Sequence, residues 1–325
     1  MAYEIEENEA PAESIRRIIR EKVDTAEEYL RGWADERHES VHEARKKFKE
    51  IRAAVRLVRK PLGDVYSREN KWYRDAGRKL SDIRDANALI ESVDALEDAL
   101  DEAEPGELGD TEALAETLPQ LREAVLVRRD NLMDDEFDLE ARVRDVLEDC
   151  VQGRDRIGML PLDDSIGFEL FAHGLAKSYR RARRRYRNAY HLEGVERGLQ
   201  RDDADAHHFH EWRKRVKYHR YHCAILKPIW PEVVGSRRDK CHDLTDLIGD
   251  DHDLVVLREV IDDEREFFEE RVGESALERL VAAMRARSNA LRRKSYYVGA
   301  ALFTEGDEAL VERFRGYWVG SGREP

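Results

Sequence analysis

Apolar residues recur along most of the chain at intervals of three and four, the spacing that places them on one side of an α-helix. This pattern predicts helices in eight segments: 14–31, 41–59, 71–100, 111–150, 166–192, 207–227, 236–271 and 274–316. No stretch of useful length alternates apolar and polar residues as a half-buried strand does. The sequence therefore predicts an all-α fold.

The breaks between these segments carry residues that end helices. Pro61 and Gly63 follow the second segment, and Pro105 and Gly106 follow the third. A longer break with Pro161 divides the chain into two halves. We therefore expect a flexible N-terminal tail (1–12), a first helical half (13–152), a linker (153–164) and a second helical half (165–320).

An internal repeat relates the two halves. A shift of 168 residues places 41–52 (VHEARKKFKEIR) on 209–220 (FHEWRKRVKYHR). The identical pairs in this stretch are His42/His210, Glu43/Glu211, Arg45/Arg213, Lys46/Lys214, Lys49/Lys217 and Arg52/Arg220. The same shift, without a gap, also matches Asp75/Asp243, Asp82/Asp250, Asp85/Asp253, Leu89/Leu257, Glu91/Glu259 and Asp94/Asp262. Two copies of one helical unit therefore account for the length of the chain.

Each copy predicts a helix with an apolar side that faces the core and a basic side opposite. The basic side carries His42, Arg45, Lys46, Lys49, Arg52, Arg56 and Lys60 in the first copy, and His210, Arg213, Lys214, Lys217 and Arg220 in the second. The helix predicted near 170–191 adds His173, Lys177, Arg180, Arg181, Arg184 and, at the edge of its basic face, Arg183.

The net charge of the chain conceals these faces. There are 57 Lys and Arg against 71 Asp and Glu, a formal charge of −14, which at first argues against an anionic partner. Segment 91–150 alone holds 21 acidic residues and 5 arginines, whereas 177–187 holds seven cations and no acid. The local potential of a cleft, rather than the sum over the chain, decides what it attracts.

Like charges one helical turn apart repel, so a solvated helix face usually interleaves acids with bases. In 42–60 only Glu43 and Glu50 offset the cations, and the same excess recurs in the second copy. A solvated surface would explain any one of these faces. Their repetition favours an anionic ligand.

Composition also bounds the class of protein. No apolar run reaches the roughly 20 residues of a membrane-spanning helix, and the first residues show no secretory signal pattern. Three scattered cysteines (Cys150, Cys223 and Cys241) suit neither a disulfide framework nor a thiolate metal site. We expect a cytoplasmic protein without a bound metal or cofactor.

The repeated motifs resemble those of the CHAD family, the conserved histidine α-helical domain. They are VHEARK at 41–46 with LSDIRD at 80–85, and FHEWRK at 209–214 with IGDDHD at 248–253. The resemblance covers roughly 11–320. It implies two four-helix bundles related by a pseudo-twofold axis, with basic helices that line a central channel and bind inorganic polyphosphate. Polyphosphate granules, or enzymes that metabolise polyphosphate, are the surroundings that such a function implies.

Several further residues extend this expected site. Leu121-x₆-Arg128 resembles Leu280-x₆-Arg287, which makes Arg128 and Arg287 candidate contributors from later helices. Arg17 and Arg20 on the opening helix are candidate partners of the 177–187 run. His42 and His210 either donate hydrogen bonds to phosphate or hold neighbouring helices, and the sequence leaves both roles open. Asp85 and Asp253 are expected to orient basic side chains rather than contact a polyanion.

Two other functions compete with polyphosphate binding. A metal-dependent phosphohydrolase would use His242-Asp243 and His252-Asp253, but the first copy has arginine in place of each histidine, and arginine does not ligate metals. A Glu39-x-x-His42 di-iron motif has no second copy. A general nucleic-acid binder fits the basic faces, but no repeated aromatic platform for base stacking accompanies them, so nucleic acid is the less expected partner. We therefore expect a binding protein rather than an enzyme.

Overall fold

The computed structural model describes residues 3–34, 37–80, 82–102, 108–133, 139–190 and 206–323. These residues form twelve α-helices and no strand, which confirms the predicted all-α fold. The helices of the first half are α1 (Pro11–Arg31), α2 (Arg37–Leu57), α3 (Val65–Lys79), α4 (Asp82–Glu102), α5 (Thr111–Met133) and α6 (Leu139–Ile157). Those of the second half are α7 (Glu169–Ala189), α8 (Ala206–Leu226), α9 (Pro231–Asp263), α10 (Arg265–Val272), α11 (Glu274–Leu302) and α12 (Asp307–Gly320).

Two hydrophobic cores hold these helices together, and both draw on both halves of the chain. The larger core contains α1, α2, α3 and α6, and also α7, α8, α12, the start of α9 and the end of α11. The smaller core packs α4 and α5 against the end of α9, α10 and the start of α11. An amphipathic helix buries its apolar stripe wherever a complementary one lies, so the halves seen in the sequence are not separate packing units.

Helix α2 lies at the junction of the two halves, where it packs against α7 and α8 as well as α1 and α3. A Cβ atom on Gly174 of α7 would lie 1.8 Å from the carbonyl oxygen of Leu57, so only glycine allows this approach. On α8, the His222 ring nitrogen Nε2 lies 3.0 Å from the carbonyl oxygen of Ala53. These backbone contacts fix α2 against the second half.

The N-terminal residues differ from the expected flexible tail. The Ile5 side chain is 1% exposed, and its backbone N–H donates a hydrogen bond to the carbonyl oxygen of Ile225 (3.0 Å). The Tyr3 hydroxyl donates to the carbonyl oxygen of Glu50 (2.6 Å). The segment is therefore anchored to the helices at these two residues, with the Ile5 side chain buried in the larger core and Tyr3 packed partly buried against it.

The connection between the halves also starts later than predicted. Helix α6 continues to Ile157, so the expected linker boundary at 153 lies inside a helix. Arg16 of α1 then anchors the connection by donating hydrogen bonds to the Leu162 carbonyl oxygen (2.5 Å) and the Asp164 carboxylate (2.9 Å).

Candidate anion-binding site

A group of cations lies where α2 and the turn after it meet α7. We call it the junction cluster, and its members are Arg52, Arg56, Arg59, Lys177 and Arg181. The guanidinium carbon of Arg56 lies 4.3 Å from the Tyr218 ring centroid on α8, and that of Arg59 lies 4.4 Å from the Tyr66 ring centroid on α3. The Tyr66 hydroxyl also accepts a hydrogen bond from Arg56 Nη1 (3.3 Å). Two tyrosines thus hold the arginines by their ring faces rather than by opposite charge.

Cations around this junction disfavour one another's charge. Burial lowers the pKa of Arg181, and Arg215 and Arg59 lower it further. Burial also lowers the pKa of Lys177, with Arg59 and Arg181 adding to the effect. For His173, burial and then Lys177 and Arg59 lower the pKa of the ring. Each of these shifts indicates positive charge that nearby groups do not neutralise.

Arg52 has the same character at the α2–α3 side of the junction. Burial lowers its pKa, Tyr218 opposes that shift, and Arg56 and Arg74 reinforce it. The Nε atoms of Arg52 and Arg56 are buried without a hydrogen-bond partner among the described residues.

Carboxylates do not neutralise the cluster within the described part of the chain. No carboxylate there lies within 4.0 Å of the cationic nitrogens of any junction-cluster member. Four members of the cluster are half-buried and Arg181 is exposed, so their mutual repulsion is only partly screened by solvent and an anion would relieve it. The junction cluster is therefore suited to bind a polyanion that contacts both halves.

A second group of basic residues lies between α8 and α9. The His210 and His252 ring centroids are 4.2 Å apart, with an interplanar angle of 37°. Burial lowers the pKa of His210 to about 4, and His252 and Lys214 contribute to the shift. Nearby, Arg213 donates a hydrogen bond from Nε to the carbonyl oxygen of Thr245 (3.1 Å). We call His210 and His252 the histidine pair.

The sequence model of the CHAD domain matches residues 17–262 of this chain. The chain belongs to the CHAD domain family. The match includes both copies of the basic repeat, the junction cluster and the histidine pair, and it ends within α9, before α10, α11 and α12. No curated protein matches the chain.

The fold of this CHAD domain sorts the predicted site residues into separate places. Four of them lie in the junction cluster: Arg52, Arg56, Lys177 and Arg181. Four others lie in or beside the histidine pair, where Coulombic effects connect them: His210, Arg213, Lys214 and Lys217. Arg287 of α11 approaches the same place, because both Arg287 and Arg213 act on the Asp250 carboxyl.

Equivalent residues in the two copies of the CHAD repeat make similar local contacts. Lys46 Nζ lies 2.9 Å from the Glu43 carboxylate, and the equivalent Lys214 lies 2.9 Å from Glu211. Arg45 donates to a backbone carbonyl oxygen at the end of α3 (3.0 Å), as Arg213 does within α9. His42 and Lys49 lie half-buried on the same helix. The side chains of 82–87, which include Asp85, lie outside the described residues.

Arg17 and Arg128 are engaged elsewhere in the CHAD domain. Arg17 Nε lies 2.9 Å from the Glu9 carboxylate, and Nη2 donates to the carbonyl oxygen of Glu4 (3.0 Å), so this residue anchors the N-terminal segment. Arg128 makes several hydrogen bonds with Glu264, the shortest 2.7 Å, and thereby links α5 to the second half.

Other predicted cations on α7 and α8 have contacts outside the junction cluster. Arg183 donates to the carbonyl oxygen of Phe303 (3.1 Å), and Arg180 lies 3.3 Å from the Asp307 carboxylate, so both contact the region between α11 and α12. The Arg220 guanidinium lies 5.7 Å from the ring of the tyrosine that follows it. Two further predicted residues are exposed on their helices: Arg20 and Arg184.

Sequence reasoning missed three cations that surround the junction: Arg59, Arg74 and Arg215. On α8, Arg215 lies on a different side of the helix from the basic stripe. A helical wheel treats each helix alone, whereas the junction collects side chains from several faces. For Arg59, the sequence does carry one signal that could have identified it, because no acid lies near it along the chain.

The described residues carry no helix that is long and apolar enough to cross a membrane. Nor do they contain a group of three or more His, Cys, Asp or Glu side chains that could hold a metal ion. His242 belongs to one of the His-Asp pairs considered above as metal ligands, and its Nδ1 atom lies 2.7 Å from the carboxylate of Asp246.

Proposed function

We propose that this CHAD domain binds inorganic polyphosphate without hydrolysing it, and that the junction cluster is the main contact. The carrying observation is that Arg59 of the first half lowers the pKa of Lys177 and Arg181 of the second half, with no carboxylate among the described residues within 4.0 Å of these cations. Polyphosphate presents roughly one negative charge per phosphoryl group on a flexible chain. Arginine can bind its oxygens in bidentate fashion, and lysine can follow it as a mobile charge.

The channel and the pseudo-twofold axis that the family resemblance implies belong to this proposal. Similar Lys–Glu pairs at equivalent positions support it, as does the packing of α2 against α7 and α8. The polyphosphate chain would then lie along the boundary between the halves, and its binding would tie them together. The cytoplasmic location, with granules or polyphosphate enzymes as partners, rests on the family resemblance and on three buried free cysteines.

Charge reversal on α7 tests the proposal. Lys177→Glu with Arg181→Glu removes two unpaired cations, and we expect polyphosphate affinity at physiological salt to fall about a hundredfold, at about 1.5 kcal/mol for each charge-assisted contact. The melting temperature should stay constant or rise, because repulsion within the cluster is relieved. Titration with polyphosphate of defined length and thermal unfolding followed by circular dichroism measure the two effects.

The matched control is Arg279→Glu with Arg285→Glu, which changes the net charge equally on exposed positions of α11. If both double variants lose affinity equally, overall charge rather than the junction explains binding. A parallel fall in melting temperature for the α7 variant would instead indicate a scaffold role. Wild-type affinity should fall steeply with salt, through counterion release.

Two competition experiments address the alternative functions. Single-stranded RNA and labelled polyphosphate compete at fixed ionic strength, and a preference for RNA would overturn the choice of ligand. Incubation of polyphosphate with the protein and Mg²⁺, Mn²⁺ or Zn²⁺ should leave the chain length unchanged. Shortened chains would contradict the non-catalytic part of the proposal.

A further inference from the structure

The histidine pair is a place where the two copies of the repeat differ chemically. His252 occupies the position that Arg84 holds in the first copy, whereas His210 has a histidine counterpart, His42. The second half therefore has a titratable group where the first half has a permanent cation. The Nδ1 atom of His210 is buried without a hydrogen-bond partner among the described residues, so protonation of this ring would create an N–H that needs an acceptor.

The charged groups that face the pair nearly balance one another within the described residues. Helix α8 contributes one acid and three bases, and α9 contributes one acid: Glu211, Arg213, Lys214, Lys217 and Asp253. Asp250 lies beside Asp253; burial raises its pKa, Asp253 and Asp246 raise it further, and Arg213 and Arg287 oppose this shift. With both histidines neutral, the site has little net attraction for an anion. Each added proton makes the site positive.

The geometry keeps the rings neutral in the absence of a ligand. Burial, with the neighbouring His252 and Lys214, lowers the pKa of His210 to about 4. Burial also lowers the pKa of His252, which Asp253 opposes and Arg213 reinforces. Because the ring centroids are 4.2 Å apart, a proton on one ring disfavours a proton on the other. The pair is therefore expected to take up about one proton rather than two.

The backbone holds the nearest arginine beside the pair. Arg213 donates from Nε to the Thr245 carbonyl oxygen (3.1 Å), and its guanidinium lies over Gly249, where a Cβ atom would come within 2.3 Å of Nη2. A phosphoryl oxygen could thus meet a fixed arginine and a protonated histidine at one place. Lys214 and Lys217 supply more mobile charges.

We propose that His210 and His252 form a proton-coupled phosphoryl site, which binds one phosphoryl group of a polyphosphate chain together with one proton, beside Arg213. The proposal rests on the proposed polyphosphate function and adds regulation to it. The second half binds more tightly in acid, whereas the first half, with Arg84 at the equivalent position, does not depend on pH in this way. Anion binding stabilises the protonated ring, so protons are taken up on binding.

The test is calorimetric titration with long-chain polyphosphate between pH 7.5 and 5.5, in buffers of different ionisation enthalpy. Internal phosphoryl groups of a long chain do not titrate in this range. Wild-type affinity should rise as pH falls, by up to about tenfold per pH unit for one coupled proton. His252→Arg should reduce proton uptake, flatten this dependence and bind at pH 7.5 about as tightly as the wild type binds in acid.

Differences between variants decide the result, because His173 beside the junction cluster and the ends of the polyphosphate chain also titrate. His242→Gln is the matched control on α9, where His242 contacts Asp246 instead, and it should keep the wild-type pH dependence. His210→Gln should lose proton uptake even if His252→Arg fails to fold. Equal proton uptake in the wild type and His210→Gln would overturn the inference while leaving the proposed function intact.

Two other outcomes are distinguishable. If the wild type does not bind polyphosphate at any pH, the proposed function fails and the regulation fails with it. If the pH-dependent part of binding disappears in a chelator and returns with Zn²⁺, the pair is a metal site and the inference is wrong.

Discussion

The contact between α7 and α2 at Gly174 gives the sharpest test of how the fold assembles the junction cluster. A Cβ atom there would lie 1.8 Å from the Leu57 carbonyl oxygen and 2.7 Å from that of Arg56. Both neighbouring atoms belong to backbone, so neither can move aside as a flexible side chain would. We predict that Gly174→Ala forces the two helices apart.

The size of the effect follows from the contact distance. An ordinary contact of 3.4 Å would need the helices to separate by about 1.5 Å. Overpacking of this kind costs about 1–3 kcal/mol, and the better helix propensity of alanine offsets up to about 1 kcal/mol of it. Lys177 lies one turn beyond Gly174. If a phosphate contact lengthens from about 4 to 5.5 Å, it loses about 1 kcal/mol at an effective dielectric of 20, which is about a fivefold loss of affinity.

Urea unfolding and polyphosphate titration measure these two quantities at a temperature where the variant is folded. Gly316→Ala in α12 is the matched control, because nothing lies within 4 Å of its added Cβ, and it should be neutral or stabilising. If Gly174→Ala is as stable as this control and binds polyphosphate as the wild type does, the close approach does not assemble the site.

Two further predictions concern the fold. Ile5→Ala should lower the free energy of unfolding by about 2–3 kcal/mol, because the Ile5 side chain is 1% exposed. Met159→Ala, at a side chain that is 71% exposed, should change it little. Equal effects of the two substitutions would mean that the N-terminal segment does not contribute to the core. Burial lowers the pKa of His222 to about 3, against 6.5 for the free group, although the contact of its ring with the Ala53 carbonyl oxygen opposes this shift. Below pH 6.5 the unfolded state therefore binds a proton that the folded state does not, and the free energy of unfolding falls by about 1.4 kcal/mol per pH unit from this residue. In urea titrations at pH 7 and 5, His222→Asn should be less stable at pH 7 but lose less stability in acid, and an unchanged loss would contradict this origin.

The sequence placed the helices well but divided some of them wrongly. The segment predicted at 71–100 contains the end of α3 and most of α4, and 111–150 contains α5 and the first part of α6. The two helices of each segment pack in different cores, with α3 and α6 in the larger core and α4 and α5 in the smaller one, yet the helical spacing of apolar residues continues across the break between them. Periodicity therefore detects the buried face more reliably than it detects the end of a helix.

The basic stripe shows the same limit at the level of the site. Arg52 and Arg56 were identified because no acid accompanies them on their helix face, and both lie in the junction cluster. Arg128 was identified by its resemblance to Arg287, but it pairs with Glu264, which is 136 residues away in the chain. A wheel drawn for one helix cannot show a partner that comes from another.

By itself, the amino-acid sequence determined the all-α fold, the repeated basic motif and membership of the CHAD family, because periodicity and residue identity are properties of local sequence. Only the tertiary structure decided which cations share a site. Coulombic interaction depends on distance in space, and the approach of α7 to α2 at Gly174 brings Lys177 and Arg181 near Arg59. The tertiary structure also places Arg17 and Arg128 in structural ion pairs and packs the N-terminal segment against the helices. These contacts depend on how distant segments pack, which the local sequence does not specify.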